Sequence, residues 1–306
     1  MNTVAFFGAI ETGLLYGLLS LGVYLSFRVL RFPDLTVDGS FPLGAAVVAT
    51  LIVRGVDPFL ATGVAVVAGG LAGLCTAWLS VGLKIMNLLA SILTMIALYS
   101  INLRIMGRPN VALLGQTTLI DIMERPLANL PHWLGAPLIL LIALIIIKVG
   151  VDAFLTSEVG LAMRATGLNP TMAKAQGIAT DQLILAGMAL SNALVALAGA
   201  LFAQMNGFAD VTLGVGTVVA GLATVILGEA LLPGSTVQRA TLGVILGSIV
   251  YRLAIALALN ADFLGFQAQD LKLVTAILVV IALVLPNSRA SLKTFRKRRQ
   301  WNYRSR

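Results

Sequence analysis

Charged residues are scarce in this chain. Only 11% of its 306 residues are Asp, Glu, Lys or Arg, 58% are hydrophobic, and the mean hydropathy is +0.96. A soluble domain has about 25% charged residues, and a soluble protein this apolar would expose large sticky patches. The composition excludes a soluble enzyme, a disordered chain and a fibrous protein. It favours an all-α polytopic membrane protein.

Residues that bind metals or form disulfides are almost absent. Cys75 is the only cysteine and His132 the only histidine. One cysteine cannot form a disulfide within the chain, and a zinc site needs about four ligands. We therefore expect no metal site and no cofactor on this chain. Residues 1–10 lack the basic start and the cleavage site of a removable signal peptide, so none is expected.

Long apolar runs account for most of the chain. A membrane-spanning helix needs about 20 apolar residues, and the sequence predicts about nine such helices (eight to ten) in one transmembrane domain, residues 1–286. The nine segments are about 5–27, 37–53, 59–82, 88–106, 136–155, 183–207, 217–232, 240–259 and 271–286. Segments 37–53 and 217–232 are short and contain glycine, so we expect them to be interrupted or re-entrant.

The distribution of basic residues predicts how the chain is oriented in the membrane. The tail 287–306 holds eight of the 21 Lys and Arg residues and no acid, whereas the remainder has 13 of each sign. The positive-inside rule places this tail in the cytoplasm, where it would meet anionic lipid rather than nucleic acid. Alternation through nine helices then places the N-terminus and loop 107–135 outside, and loop 156–182 inside.

A short internal repeat is present. Residues 32–37, Phe-Pro-Asp-Leu-Thr-Val, match residues 208–213, Phe-Ala-Asp-Val-Thr-Leu. Five predicted crossings separate the two copies, so they face opposite ways. The match predicts two inverted-topology repeats, about 5–106 and 183–286, which is typical of transporters. Chance similarity between apolar segments is the other interpretation.

Loop 156–182 is the only sizeable loop before the tail that is predicted on the cytoplasmic side. Ser157 is a candidate N-cap, and Gly-Leu-Asn-Pro at 167–170 should end one short helix and begin a second. Leu161, Ala165 and Leu168 share one face of the first helix. A pair of short cytoplasmic helices would suit a groove on a soluble partner, although an ordinary interfacial linker has the same pattern.

Polar residues within the apolar segments are the candidates for a translocation pathway, because such residues are costly in a membrane. They are Asp34, Thr36, Asp38, Tyr99, Asn102, Asn192, Asp210, Thr212 and Arg252. Helix capping and internal pairing are the alternative explanation, above all for Asp34 and Asp210, each of which has Thr two residues later.

A membrane enzyme is a further alternative. Asp34 and Asp38 faintly resemble an aspartate-rich diphosphate and magnesium site, as in membrane prenyltransferases. Enzymes of that kind have a pair of such clusters on one face of the membrane domain. Here the second copy keeps only Asp210, on the opposite face, which argues against this class.

Loop residues 160–178 carry the pattern G-x-A-x-R-A-x-G-x-N-P-x-x-A-x-x-x-G-I. The pattern resembles the cytoplasmic coupling segment of ABC importer permeases of the branched-chain amino-acid and ribose/nucleoside group, and residues 87–95 also resemble that group. Residues 32–40 and 100–110 resemble, more narrowly, the tryptophan/tyrosine-type transport permeases. The resemblance covers roughly residues 10–286.

The resemblance implies a permease dimer in the bacterial inner membrane that imports a small organic solute, an aromatic or branched-chain amino acid. Its partners would be ABC ATPase subunits, which hold ATP and Mg, and an extracytoplasmic substrate-binding protein. The chain has no phosphate-binding loop of the G-x-x-x-x-G-K-[ST] type, so we expect it not to be an enzyme. The implied ATPase-coupling residues are Glu158, Gly160, Arg164, Ala165, Gly167, Asn169, Pro170, Ala173 and Gly177. An ion-coupled secondary transporter with inverted repeats is the alternative function.

Overall fold

The computed structural model describes residues 3–125, 132–234 and 236–259, together with helical positions 276, 277 and 280. Over residues 3–259, the described α-helices are α1 (Thr3–Tyr24, continued by a π-helical turn, Leu25–Val29), α2 (Val37–Val53), α3 (Pro58–Val81), α4 (Asn87–Met106), α5 (Leu119–Glu124), α6 (His132–Thr156), α7 (Glu158–Leu168), α8 (Pro170–Ala175), α9 (Thr180–Asn206), α10 (Thr217–Leu231) and α11 (Val237–Leu259). Strands β1 (Asn110–Ala112) and β2 (Phe208–Asp210) form an antiparallel pair.

The apolar helices match the first eight predicted segments to within a few residues. Over the described residues, seven are long and apolar enough to span a membrane, and α2 is shorter. A 3₁₀ turn, Val211–Gly214, extends the apolar stretch of α10 to Val211–Leu231. The polytopic helical class is therefore confirmed. The ninth segment, 271–286, and the basic tail, 287–306, lie outside the described residues except for three positions, so the count of nine stays a prediction.

The chain alternates between two ends of the helix bundle. Gly107 and Gly207, both with positive φ, end α4 and α9. Strand β1 begins three residues after Gly107 and β2 directly after Gly207, and the strands pair through Val111 and Ala209. We call this the sheet end. At the opposite end, which we call the α7 end, Arg28 after α1 forms an ion pair with Glu229 near the end of α10.

Helix α9 lies at the centre of the bundle and packs against α1, α2 and α3. Glycines allow the close approach: a Cβ on Gly44 would lie 2.0 Å from the carbonyl oxygen of Ala196, and a Cβ on Gly73 would lie 2.2 Å from that of Met188. Small residues bring helix backbones together in membranes, where packing rather than hydrophobic burial drives association. The α2–α3–α9 contact therefore depends on particular glycines.

Asp38, on α2, caps α10, which begins about 180 residues later. One carboxylate oxygen accepts hydrogen bonds from the Val218 N–H (2.8 Å) and the Thr217 hydroxyl (2.8 Å), and the other accepts the Gly216 N–H at 3.3 Å. An N-cap usually comes from the residue just before the helix. Here one half of the chain satisfies the exposed N–H groups of a helix in the other half.

Replacing Gly73 should test the helix contact. Gly73→Ala should lower the free energy of unfolding by about 1–3 kcal/mol, because the new Cβ overlaps backbone atoms of α9. Gly63 lies on the same helix with no atom within 4 Å of a built Cβ, so Gly63→Ala is the matched control and should be neutral. Thermal unfolding in detergent measures both; equal midpoints would contradict the packing argument.

Two substitutions of Asp38 should separate its cap from its charge. Asp38→Ala removes every acceptor and should cost about 1 kcal/mol, the usual value of an N-cap. Asp38→Asn keeps an oxygen for Thr217 and Val218 and should retain most of that stability. Thermal unfolding in detergent measures the stability of both variants. An Asp38→Ala variant as stable as the unmodified protein would show that α10 does not need this cap.

Candidate translocation site and coupling helices

A cavity of 430 Å³ lies between α2, α4 and the segment that precedes α10. Its lining residues are Asp38, Gly39, Pro42, Met95, Ile96, Tyr99, Ser100, Asn102, Val211 and Val215. Three of the predicted pathway residues, Asp38, Tyr99 and Asn102, thus lie at one cavity. Met95 and Ser100 were missed by the sequence analysis, although Met95, Tyr99 and Asn102 follow one another at helical spacing on α4.

Asn102 lines this cavity and has a buried hydrogen-bond acceptor without a partner. Its side-chain N–H group donates to the Gly39 carbonyl oxygen (3.2 Å), whereas its buried Oδ1 has no hydrogen-bond partner in the described part of the chain. A buried acceptor without a partner is costly. An N–H or O–H donor that reached this oxygen would remove that cost.

The rest of the cavity wall combines apolar and hydroxyl groups. Met95 and Ile96 are apolar, and Tyr99 and Ser100 carry hydroxyls. Ile96 and Tyr99 are 59% and 52% exposed, so the cavity opens on the α4 side of the bundle. Mostly apolar walls with a few polar groups are typical of sites for small organic ligands.

Three other predicted pathway residues form a buried network beside α9. The Asn192 amide donates to the Asp34 carboxylate (2.8 Å), the Ser40 hydroxyl donates to the Asn192 carbonyl (2.7 Å), and the Thr36 and Thr76 hydroxyls lie 2.7 Å apart. All five side chains are completely buried. Their hydrogen bonds are thus made within the protein and join α2, α3 and α9.

Asp210 and Thr212 form a turn at the sheet end. The Thr212 N–H donates to Asp210 Oδ1 (2.7 Å), as the Thr36 N–H donates to Asp34 Oδ1 (2.9 Å) before α2. Partial burial raises the pKa of the Asp210 carboxyl, but hydrogen bonds from Thr212 and Asn110 outweigh it, and the pKa lies below its usual value. This carboxylate is therefore ionised at neutral pH.

Arg252, the last predicted pathway residue, lies apart from these groups. Its guanidinium carbon is 3.4 Å from the ring centroid of Tyr16, so α11 contacts α1 through a cation–π interaction. The structure thus divides the predicted pathway set between one cavity, one buried network, one turn and one helix contact.

Loop 156–182 contains the predicted pair of short helices, α7 and α8. Ser157 caps α7 by accepting the Gly160 N–H (3.3 Å), and Asn169 caps α8 by accepting the Met172 N–H (3.0 Å). Pro170 is the first residue of α8. The local sequence therefore encodes both helix starts and the turn between them.

The nine predicted coupling residues divide into two groups. Gly160, Gly167 and Ala173 are buried, and a Cβ on Gly167 would lie 1.9 Å from the Val29 carbonyl oxygen, so they hold α7 and α8 against the bundle. Arg164 and Ala165 are half-buried, whereas the exposed members are Glu158, Asn169, Pro170 and Gly177.

Four apolar side chains that the predicted set omitted project from the α7–α8 pair. They are each more than half exposed: Val159, Leu161, Leu168 and Met172. The shared face of Leu161 and Leu168 was visible in the sequence, but only the structure shows that it faces away from the bundle. Exposed apolar side chains close together on one surface make it a candidate interaction site.

Comparison with known proteins gives relatives along most of the chain. The family described as "Branched-chain amino acid transport system / permease component" matches residues 5–284. The "Tyrosine transport system permease protein" of Clostridioides difficile is 38% identical and covers 92% of this chain and 90% of that protein. A Methanocaldococcus jannaschii protein, "Probable branched-chain amino acid transport permease protein LivH", is 26% identical, covering 91% and 89%.

Among solved structures, PsaBC from Streptococcus pneumoniae in complex with Fab has the same fold over 91% of this chain and 89% of that chain, with a TM-score of 0.50 and 17% identity. The relatives are transport permeases rather than enzymes. Because the family match runs through nearly all described residues, this chain belongs to the family of permease components of branched-chain amino acid transport systems.

Proposed function

We propose that this protein is the membrane permease subunit of an ATP-driven importer for an amino acid of the aromatic or branched-chain type. Two copies would lie in the bacterial cytoplasmic membrane, with ABC ATPases, which carry ATP and Mg, at the α7 end. A substrate-binding protein would deliver solute at the sheet end. The observation that carries this proposal is the capped α7–α8 pair, which is fixed to the bundle and presents Leu161, Leu168 and Met172 outward.

The anchoring of α7 supports a mechanical role. Gly167 lies against the backbone of Val29 at the end of α1, and Met163 is fully buried against Gly187 of α9. Close packing transmits displacement because well-packed interiors are hardly compressible. A force on the α7–α8 pair would therefore move α1 and α9, and through them the bundle, between inward-open and outward-open states. An ion-coupled carrier has no need of such a pair.

Inverted repeats are part of the proposal. The turns at Asp34–Thr36 and Asp210–Thr212 share the same carboxylate-to-N–H hydrogen bond and stand before α2 and α10, whose first turns meet where Asp38 caps α10. Opposed short helices with a ligand site between them are typical of transporters. The 430 Å³ cavity lies between the start of α2 and the residues just before α10, which both line it.

The same cavity supports the dimer and the solute class. It opens on the side of α4 where Ile96 and Tyr99 are exposed, so a second permease copy would supply the missing wall. Asn102 Oδ1 would accept a hydrogen bond from the ammonium or phenol group of an amino acid, and Met95 and Ile96 would contact its side chain. Tyrosine is the first solute to test, because a 38% identical relative is named for it.

The ATPase contact should depend on Leu168. Leu168→Glu places a charge on the exposed face of α7 and should weaken binding of the proposed partner ABC ATPase about 30-fold, corresponding to about 2 kcal/mol, the value of an interface hot spot. Leu114→Glu, at an 87% exposed residue of the sheet end, is the matched control. Co-purification in detergent measures both. Equal retention of the ATPase by both variants would overturn the coupling assignment.

Filling the cavity should block transport. Ser100→Trp places an indole in the 430 Å³ space beside Asn102 and should reduce tyrosine uptake to the background of cells without the permease. Ile101→Trp alters the next residue of α4, which is exposed but does not line the cavity. Uptake of labelled tyrosine at equal membrane expression compares the two variants; normal uptake by Ser100→Trp would place the pathway elsewhere.

A further inference from the structure

A second cavity, of 680 Å³, lies at the α7 end, away from the proposed pathway. It is bounded by the ends of α1 and α10, the start of α11, and α7. Its charged lining residues are Arg28, Arg31, Arg164 and Glu229. Phe27, Leu232 and Val237 add apolar wall.

The cavity has an excess of positive charge. Arg28 forms an ion pair with Glu229, but in the described part of the chain no carboxylate lies within ion-pair distance of Arg31 or Arg164. Three guanidinium groups therefore face one carboxylate. Guanidinium groups match phosphate oxygens in a bidentate arrangement and are less strongly hydrated than ammonium groups. The charge favours an anion, and the residue type favours a phosphate.

The position of Arg31 is fixed by the backbone. Its φ of +53° is uncommon for a residue with a side chain. The turn around it is closed by the Leu30 N–H on the Leu25 carbonyl (3.0 Å) and the Phe32 N–H on the Ser26 carbonyl (2.8 Å). Phe32 and Leu30 are both buried. Arg31 is thus held at the cavity by a turn anchored on both sides.

We propose that this cavity binds the phosphate group of an anionic phospholipid. It lies where three membrane-spanning helices meet the water boundary, and the apolar side chains beside its arginines suit the glycerol and first methylenes of a lipid. Basic pockets between transmembrane helices on the cytoplasmic side favour such headgroups. Free inorganic phosphate shares the anionic chemistry but has no use for the apolar wall.

Because Arg164 lies on α7, a lipid bound in this cavity would affect the proposed coupling to the ATPase. Helix α7 carries the proposed ATPase contact, so a headgroup in the cavity would lie directly against the α7–α8 pair. Anionic lipid would then stabilise α7 against the ends of α1 and α10. This inference concerns the lipid and does not depend on which solute is transported.

The experiment is lipid retention by the purified full-length protein. Native mass spectrometry would count phosphatidylglycerol bound from mixed micelles, with phosphatidylcholine as the neutral lipid and inorganic phosphate as a competitor. Arg31→Asn removes one guanidinium and keeps a residue that tolerates positive φ. It should weaken phosphatidylglycerol binding about fivefold, the equivalent of about 1 kcal/mol for one basic residue near a headgroup.

Lys84→Asn is the matched control. Lys84 is also basic, exposed, at the α7 end and at positive φ (+56°), but it does not line the cavity. Retention that falls only in Arg31→Asn supports the proposal. Equal retention by both variants overturns it. If millimolar phosphate binds to the protein and retention is the same for phosphatidylglycerol and phosphatidylcholine, the cavity is a free-phosphate site, and the lipid proposal is overturned. Loss of ATPase binding with unchanged lipid retention would identify a protein contact, which also overturns the proposal.

Discussion

The hydrogen bond from the Asn192 amide to the Asp34 carboxylate joins two parts of the chain that lie 158 residues apart. At membrane depth no water can replace such a bond, so the groups must be satisfied by each other. Asn192 also accepts the Ser40 hydroxyl and thereby fixes the first turn of α2 against α9. Asp38 lies on this same turn. The cap on α10 and one wall of the cavity therefore depend on the position of Asn192.

Glycine contacts extend this constraint to the rest of the bundle. Gly73 and Gly44 bring α3 and α2 against the backbone of α9, and Gly167 brings α7 against the end of α1. None of these contacts has space for a methyl group. Contacts this close leave little room for one helix to move without its neighbours. Such packing would suit the proposed driving of the permease from the α7–α8 pair.

Features that depend on local chemistry could be predicted from the sequence. Apolar length predicted α2 at Val37–Val53 to the residue, and Ser157, Asn169 and Pro170 predicted the starts of α7 and α8. The sequence could not show which candidate polar residues face each other. Asp34 and Asp38 are four residues apart, yet one is bonded to α9 and the other to α10. Such pairings arise from helix packing, which apolar periodicity does not encode.

The two Asp-x-Thr turns show how one local pattern serves two different environments. Both make the same carboxylate-to-N–H bond, but Asp34 is completely buried with Asn192, whereas Asp210 is partly exposed and bonded to Asn110 beside a three-residue strand pair. Opening the first turn would leave buried polar groups without partners, which is costly. Opening the second would expose groups that water can satisfy. Opening the turn at the sheet end therefore costs less free energy, while the turn at Asp34 is part of the core around α9.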